Sequence, residues 1–131
     1  MDSEELKSLG VLAFLLYRMG WYERSERVYA GLAALAAEGG AIRREALAGL
    51  AAAQIEQGKA REALENAEAA AAGLPLSTRQ AGLHLIRAQA LWQLGRKTEA
   101  AAARDLYLNL AGPSARSARD EEGGQAAAKT K

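Results

Sequence analysis

The side chains that could carry chemistry in this chain are few, and three glutamates come first. Glu62, Glu65 and Glu68 follow one another at three-residue intervals, and carboxylate oxygens are ligands that Ca²⁺ and Mg²⁺ prefer. The same spacing places them on one face of a helix, and a run of charges on a helix face is usually solvated. We therefore interpret these glutamates as a solvated face and predict no metal site.

A catalytic nucleophile with a positioned base cannot be assembled from this composition. The chain has no cysteine and one histidine, His84, which falls early in a predicted helix where an inward-facing bulky residue is expected. Core packing is therefore favoured for His84 over a ligand or pH-sensing role. Gly39-Gly40 lacks the lysine and the hydroxyl of a phosphate-binding loop. We predict that the protein is not an enzyme and that it binds no cofactor.

The charge balance argues against nucleic acid and membrane partners. The 131 residues include 17 Lys and Arg against 16 Asp and Glu, a formal net charge of +1, and the basic residues are scattered rather than gathered in a stripe. The N-terminal apolar stretch, residues 9–17, is too short to cross a bilayer, and it follows an acidic start unlike a secretory signal. Because cysteine is also absent, we expect a cytoplasmic protein.

The elements that would position any site are helices arranged as repeats. Three segments align: Gly20-Trp-Tyr-Glu-Arg-Ser25, Gly58-Lys-Ala-Arg-Glu-Ala63 and Gly95-Arg-Lys-Thr-Glu-Ala100. In each, helical periodicity ends at a glycine, the chain turns and a second amphipathic run begins. The glycines are spaced slightly wider than the repeat of about 34 residues that defines tetratricopeptide proteins. Five residues after each glycine there is a small residue, Ser25, Ala63 or Ala100, at the place where the second helix must approach the first closely.

This pattern predicts an all-α fold of three tetratricopeptide-like helical hairpins, which form a short right-handed superhelix with a concave groove. The repeat domain spans residues 1–111, and residues 112–131 form a disordered polar tail because they show no apolar periodicity. Ser77 or Thr78 is the expected N-cap of the fifth helix. We place the six helices near residues 3–19, 22–37, 41–57, 60–73, 77–94 and 97–111.

The first predicted helix is apolar on every face between Leu9 and Tyr17, which indicates burial on both sides. One side meets the second helix, and a partner or a second copy of the chain would cover the other. The first helices of the hairpins should line the groove, which suits an amphipathic helix or an extended segment. The predicted groove residues are Phe14, Tyr17, Arg18, Ala52, Ile55, Glu56, Leu85, Gln89 and Trp92.

Core packing is a strong alternative for Phe14 and Tyr17, since aromatic residues at helical spacing are often core. For Trp92 the groove is favoured, whereas Trp21, at a turn, is expected to pack a hairpin end. If Tyr17 and Trp92 line the groove, charged replacements should abolish partner binding and preserve helicity.

The chain resembles the small tetratricopeptide-like chaperones of bacterial type III secretion systems, most of all the YscY-type family. The resemblance is closest in the third hairpin, at Gly95, Ala100 and the stretch Tyr107-Leu108-Asn109-Leu110. It implies a bacterial cytoplasmic chaperone that binds and stabilises a small helical secreted protein of the export apparatus. Needle-subunit cochaperones and translocator chaperones are further subgroups that fit, and a homodimer of the free chain stays open.

Two other function classes remain beside secretion. A general adaptor or assembly factor would use the same groove to capture a peptide of a partner that is not exported. Catalysis would need a reactive constellation that the residues do not supply. The identity of the bound partner would distinguish a secretion chaperone from a general adaptor.

Overall fold

The computed structural model describes residues 1–72 and 81–111, and within these ranges the chain forms six helices and no strand. The predicted all-α class is therefore confirmed. The helices are α1 (Ser3–Arg18), α2 (Tyr22–Leu35), α3 (Ala41–Glu56), α4 (Ala60–Ala71), α5 (Gly82–Gln93) and α6 (residues 97–111).

Three turns between helices share one backbone structure. Gly20, Gly58 and Gly95 have φ values of +83°, +76° and +79°, in the left-handed region that glycine enters without steric cost. In each turn the amide after the glycine donates to a carbonyl five residues back, which closes the end of the preceding helix. These bonds join Trp21 to Leu16, Lys59 to Gln54 and Arg96 to Leu91, each at 2.9 Å. The predicted turn glycines are thus confirmed.

The small residues predicted after these turns are buried where paired helices meet. Ser25 and Ala63 are fully buried and Ala100 is 5% exposed. The Ser25 hydroxyl donates to the carbonyl of Ala13 on α1 at 2.8 Å. This bond satisfies the buried hydroxyl and holds α2 close to α1.

Alanine dominates the interior. One core cluster lies among α1, α2 and α3 and contains Ala13, Tyr29, Leu32, Ala33, Ala46 and Leu50. The other lies among α3, α4, α5 and α6 and contains Ala51, Ile55, Ala63, Leu64, Ala67, Ala88, Ala90, Leu91, Ala100 and Ala103. Short side chains allow the helices to approach closely. Each helix from α1 to α4 packs against the next one in the chain, and α3 also contacts α1 and α5.

Two helices end two residues earlier than predicted. α2 ends at Leu35 because Ala36 is extended, with φ −80° and ψ 152°, and α4 ends at Ala71 because Ala72 is extended as well. The described part of α5 begins at Gly82, and its predicted start near residue 77 lies outside the described residues. The predicted N-cap at Ser77 or Thr78 and the predicted disordered tail at 112–131 lie outside the described residues.

Candidate functional site

An apolar cavity of about 510 Å³ opens where the end of α3 meets α5 and α6. Its floor is formed by small or aliphatic side chains, among them Ile55 at 7% exposure, Ala88 at 9% and Ala100 at 5%. Three charged residues from two helices stand at its rim. The full lining is Ile55, Glu56, Leu85, Ala88, Gln89, Trp92, Gln93, Lys97, Ala100, Ala101 and Arg104.

Trp92 is the most exposed of the large apolar side chains that line this cavity. It lies in the last turn of α5, and 61% of its surface is accessible. The turn at Gly95 brings Lys97 back over the indole, with its Nζ 5.3 Å from the ring centroid, within the range of a cation–π contact. Exposed tryptophans beside apolar pockets are typical of binding hot spots.

The charges around the cavity are divided between its walls. Glu56 lies on α3, whereas Lys97 and Arg104 lie on α6. Between them, Gln93 on α5 donates to the carbonyl of Ile55 on α3 at 3.4 Å. The arrangement offers an apolar floor for inserted side chains and opposite charges on opposite walls, which would orient a bound polypeptide segment.

The cavity collects five of the nine predicted groove residues: Ile55, Glu56, Leu85, Gln89 and Trp92. Phe14 is 52% exposed and lines a separate depression of about 300 Å³ between α1, α2 and α3, beside Leu6 and Ile42. Arg18 is exposed and Ala52 is half-buried, and neither lines these two cavities.

Tyr17 connects α1 to the edge of the main cavity, the apolar cavity that Trp92 borders. Its hydroxyl donates to Glu56 at 3.5 Å, and its ring meets that of Tyr22 edge-on, with centroids 5.4 Å apart. Burial first, and then the charge of Glu56, raise the pKa of Tyr17. The half-buried ring therefore packs a hairpin end, and its hydroxyl contacts Glu56, a residue that lines the cavity.

Trp21 is more exposed than its predicted role of packing a hairpin end implies. Its exposure is 47%, and the Arg24 guanidinium lies 4.8 Å from the ring centroid. It lies outside the main cavity. The chain's two tryptophans are therefore both exposed and both beside a cation, but only Trp92 borders the apolar cavity.

The contribution of α6 to the cavity is absent from the sequence prediction, which placed the groove on the first helix of each hairpin. Lys97, Ala100, Ala101 and Arg104 form one side of the cavity. Their spacing of three, one and three residues is that of one helix face. This periodicity could have identified the face, but nothing local shows that it turns towards Trp92.

The other residues weighed for chemistry lie elsewhere. Arg87 donates to Nδ1 of His84 at 2.9 Å, and burial followed by the Arg87 charge lowers the pKa of His84. Because a guanidinium can only donate, Nδ1 accepts this bond, and the neutral imidazole then carries its proton on Nε2. Glu62, Glu65 and Glu68 are exposed on α4, and the described residues hold no group of three or more His, Asp or Glu that could bind a metal ion.

Two further results bear on partners. Within residues 1–72 and 81–111, no helix is both long enough and apolar enough to cross a bilayer. The sequence matches no protein-family model, and no curated protein or solved structure is significantly similar to it.

Proposed function

We propose that this protein is a binding module for other proteins, and that its main cavity receives apolar side chains from a helix or extended segment of the partner. The supporting observation is the exposure of Trp92: 61% of its surface is accessible, and it lies at the wall of a cavity whose floor is apolar. Leaving an indole in water forgoes the free energy of its burial. A partner that covers Trp92 would recover that free energy.

The proposed architecture is a short right-handed superhelix of three tetratricopeptide-like hairpins. Three turns with the same hydrogen bonds and a small buried residue at the same place after each turn support it. The contacts of α3 with α1 and with α5 also agree with neighbouring first helices in such an array. In that architecture the main cavity belongs to the concave groove, to which the partner binds.

The proposed partner is a small helical protein exported by a type III secretion system, and the chain would act as its cytoplasmic chaperone. This rests on the resemblance of the third hairpin to YscY-type chaperones, together with the apolar cavity. A chaperone that binds the folded or helical form of its client stabilises it by mass action. The alternative is an adaptor or assembly factor whose partner is not exported, and the identity of the partner separates the two.

Replacing Trp92 tests the proposal directly. We expect Trp92→Ala to weaken partner binding by about 30-fold or more, since truncating a central aromatic contact costs about 2 kcal/mol or more. The partner is first identified by mass spectrometry after purification of the tagged chain from its native host. Its affinity for the wild type and the variant is then measured by isothermal titration calorimetry.

Trp21→Ala is the matched control, because Trp21 is also exposed and beside a cation but lies outside the main cavity. It should leave the affinity unchanged. In a Trp21→Phe variant, Trp92 is the sole tryptophan, and its fluorescence emission should shift to shorter wavelength when the partner binds. Equal affinity losses for the two alanine variants, or no shift, would contradict the assignment of the cavity.

A further inference from the structure

The outer face of α1 is apolar and uncovered. Five large apolar side chains in the second half of α1 and at its C-cap are about half exposed or more: Val11 60%, Leu12 46%, Phe14 52%, Leu15 52% and Met19 59%. They lie on the part of the helix surface that faces away from Ala13, which is fully buried. The terminal helices of repeat arrays normally present a polar outer face, so an apolar one indicates an interface.

The C-terminal part of this chain does not contain the side chains to cover that face. Residues 112–131 include no leucine, isoleucine, valine, methionine or aromatic residue. Burying α1 by them would remove little apolar surface from water. The cover must therefore come from a surface with large apolar side chains.

The charges along α1 favour a second copy of the same helix. Glu4 and Glu5 lie in its first turn and Arg18 lies in its last turn, and Lys7 forms an exposed ion pair with Glu4 at 3.7 Å. Two α1 helices packed antiparallel bring the acidic end of each beside the basic end of the other, whereas parallel packing opposes like charges. A net charge of +1 also produces little long-range repulsion between two copies.

We propose that the protein forms a twofold-symmetric homodimer through antiparallel packing of α1 against α1 of a second copy. Centring the contact on the apolar half places Val11 of each copy opposite Leu15 of the other. Arg18 then lies opposite Ser8, about 6 Å along the axis from Glu4 of the second copy, which an arginine side chain spans. The same patch serves both copies, as a closed twofold interface requires.

Sedimentation equilibrium of the full chain tests the dimer. The wild type should have the mass of two chains, and Leu15→Glu should raise the dimer dissociation constant by about 30-fold or more, as expected for a central apolar contact. Leu106→Glu is the control, because Leu106 is 45% exposed on α6 and lies outside the interface. A monomeric wild type, or equal effects of the two variants, would overturn the proposal.

Charge reversal tests the antiparallel arrangement. Arg18→Glu should weaken the dimer because it opposes Glu4 and Glu5, and adding Glu4→Arg to the same chain should restore it. Failure of the double variant to recover the dimer would overturn the antiparallel arrangement. Circular dichroism confirms that each variant remains helical, and Val11→Glu replaces Leu15→Glu if the latter does not fold.

Discussion

At Gly49, in the middle of α3, the space that a side chain would fill is occupied by the ring of Tyr29 from α2. An added Cβ would overlap that ring, with Cε2 only 2.7 Å away. Tyr29 is 9% exposed, and burial first, then the nearby Tyr17, raise its pKa. The absence of one side chain thus lets a large aromatic ring enter the first core cluster, so packing outweighs helix propensity here.

We expect Gly49→Ala to lower the free energy of unfolding by about 1 kcal/mol. The exchange favours a helix by about 1 kcal/mol, but overpacking a core costs about 1–3 kcal/mol. Gly31→Ala on α2 is the control, because nothing lies within 4 Å of a Cβ there, and it should raise the free energy of unfolding by roughly 0.5–1 kcal/mol. Urea denaturation measures both, and stabilisation by Gly49→Ala would show that Tyr29 can move aside.

The helices α1, α3 and α5 end in the same type of turn, each with a glycine at positive φ. At Gly58 the positive φ of +76° allows Lys59 to donate to Gln54 at 2.9 Å, and α4 begins one residue later. No described side chain crowds this position, since nothing lies within 4 Å of a Cβ at Gly58. The requirement for glycine is therefore one of backbone conformation alone.

Gly58→Ala should lower the free energy of unfolding by about 1–2 kcal/mol, because an alanine in the left-handed region carries that steric cost. Gly58→Asn should lower it by less, since asparagine tolerates the same conformation. Thermal and urea denaturation of the two variants give the comparison. Equal losses would mean that the side chain at this position, rather than its φ, determines the effect.

A network of polar side chains joins the first hairpin to the second. The carboxylate of Glu26 on α2 accepts from Gln54 at 3.1 Å, from Gln57 at 3.0 Å and from Lys59 at 2.8 Å. Gln54 in turn accepts from Asn66 on α4 at 2.8 Å. Burial alone raises the pKa of Glu26, but hydrogen bonds from Lys59, Gln54 and Gln57 and the Lys59 charge together lower it.

The network should make stability depend on pH. The folded-state pKa of Glu26 lies below its ordinary value of 4.5, so the unfolded chain takes up this proton first as the pH falls. The contribution of Glu26 is therefore present above the unfolded-state pKa and is lost as the pH falls through the folded-state pKa. Urea denaturation between neutral pH and pH 3 should show Glu26→Gln destabilised at neutral pH, with a deficit that shrinks towards about pH 3.

Glu65→Gln is the control for this experiment because Glu65 is exposed on α4. It should keep the pH dependence of the wild type. A constant difference between the wild type and Glu26→Gln at every pH would mean that the carboxylate charge of Glu26 does not stabilise the fold.

The helical class, the three turns and the buried small residues that follow them could be predicted from the sequence. These features depend on interactions within a few residues of the chain: the φ that glycine permits at Gly20, Gly58 and Gly95, and the periodicity of apolar side chains. Local physics also identified the exposed glutamates of α4. The capping box of α1, in which Asp2 accepts from the Glu5 amide at 2.8 Å, was readable from the same spacing rules.

Which helix surfaces meet could not be predicted from the sequence and is known from the packing of the helices. Phe14 and Trp92 were predicted for one groove, but the packing of α1 on α2 and α3 places Phe14 in a separate depression. The main cavity is completed by Lys97 and Arg104 of α6, and the space at Gly49 belongs to Tyr29, twenty positions earlier in the sequence. Each of these outcomes depends on distances between helices, which the close approach permitted by small side chains sets and which periodicity within one helix does not encode.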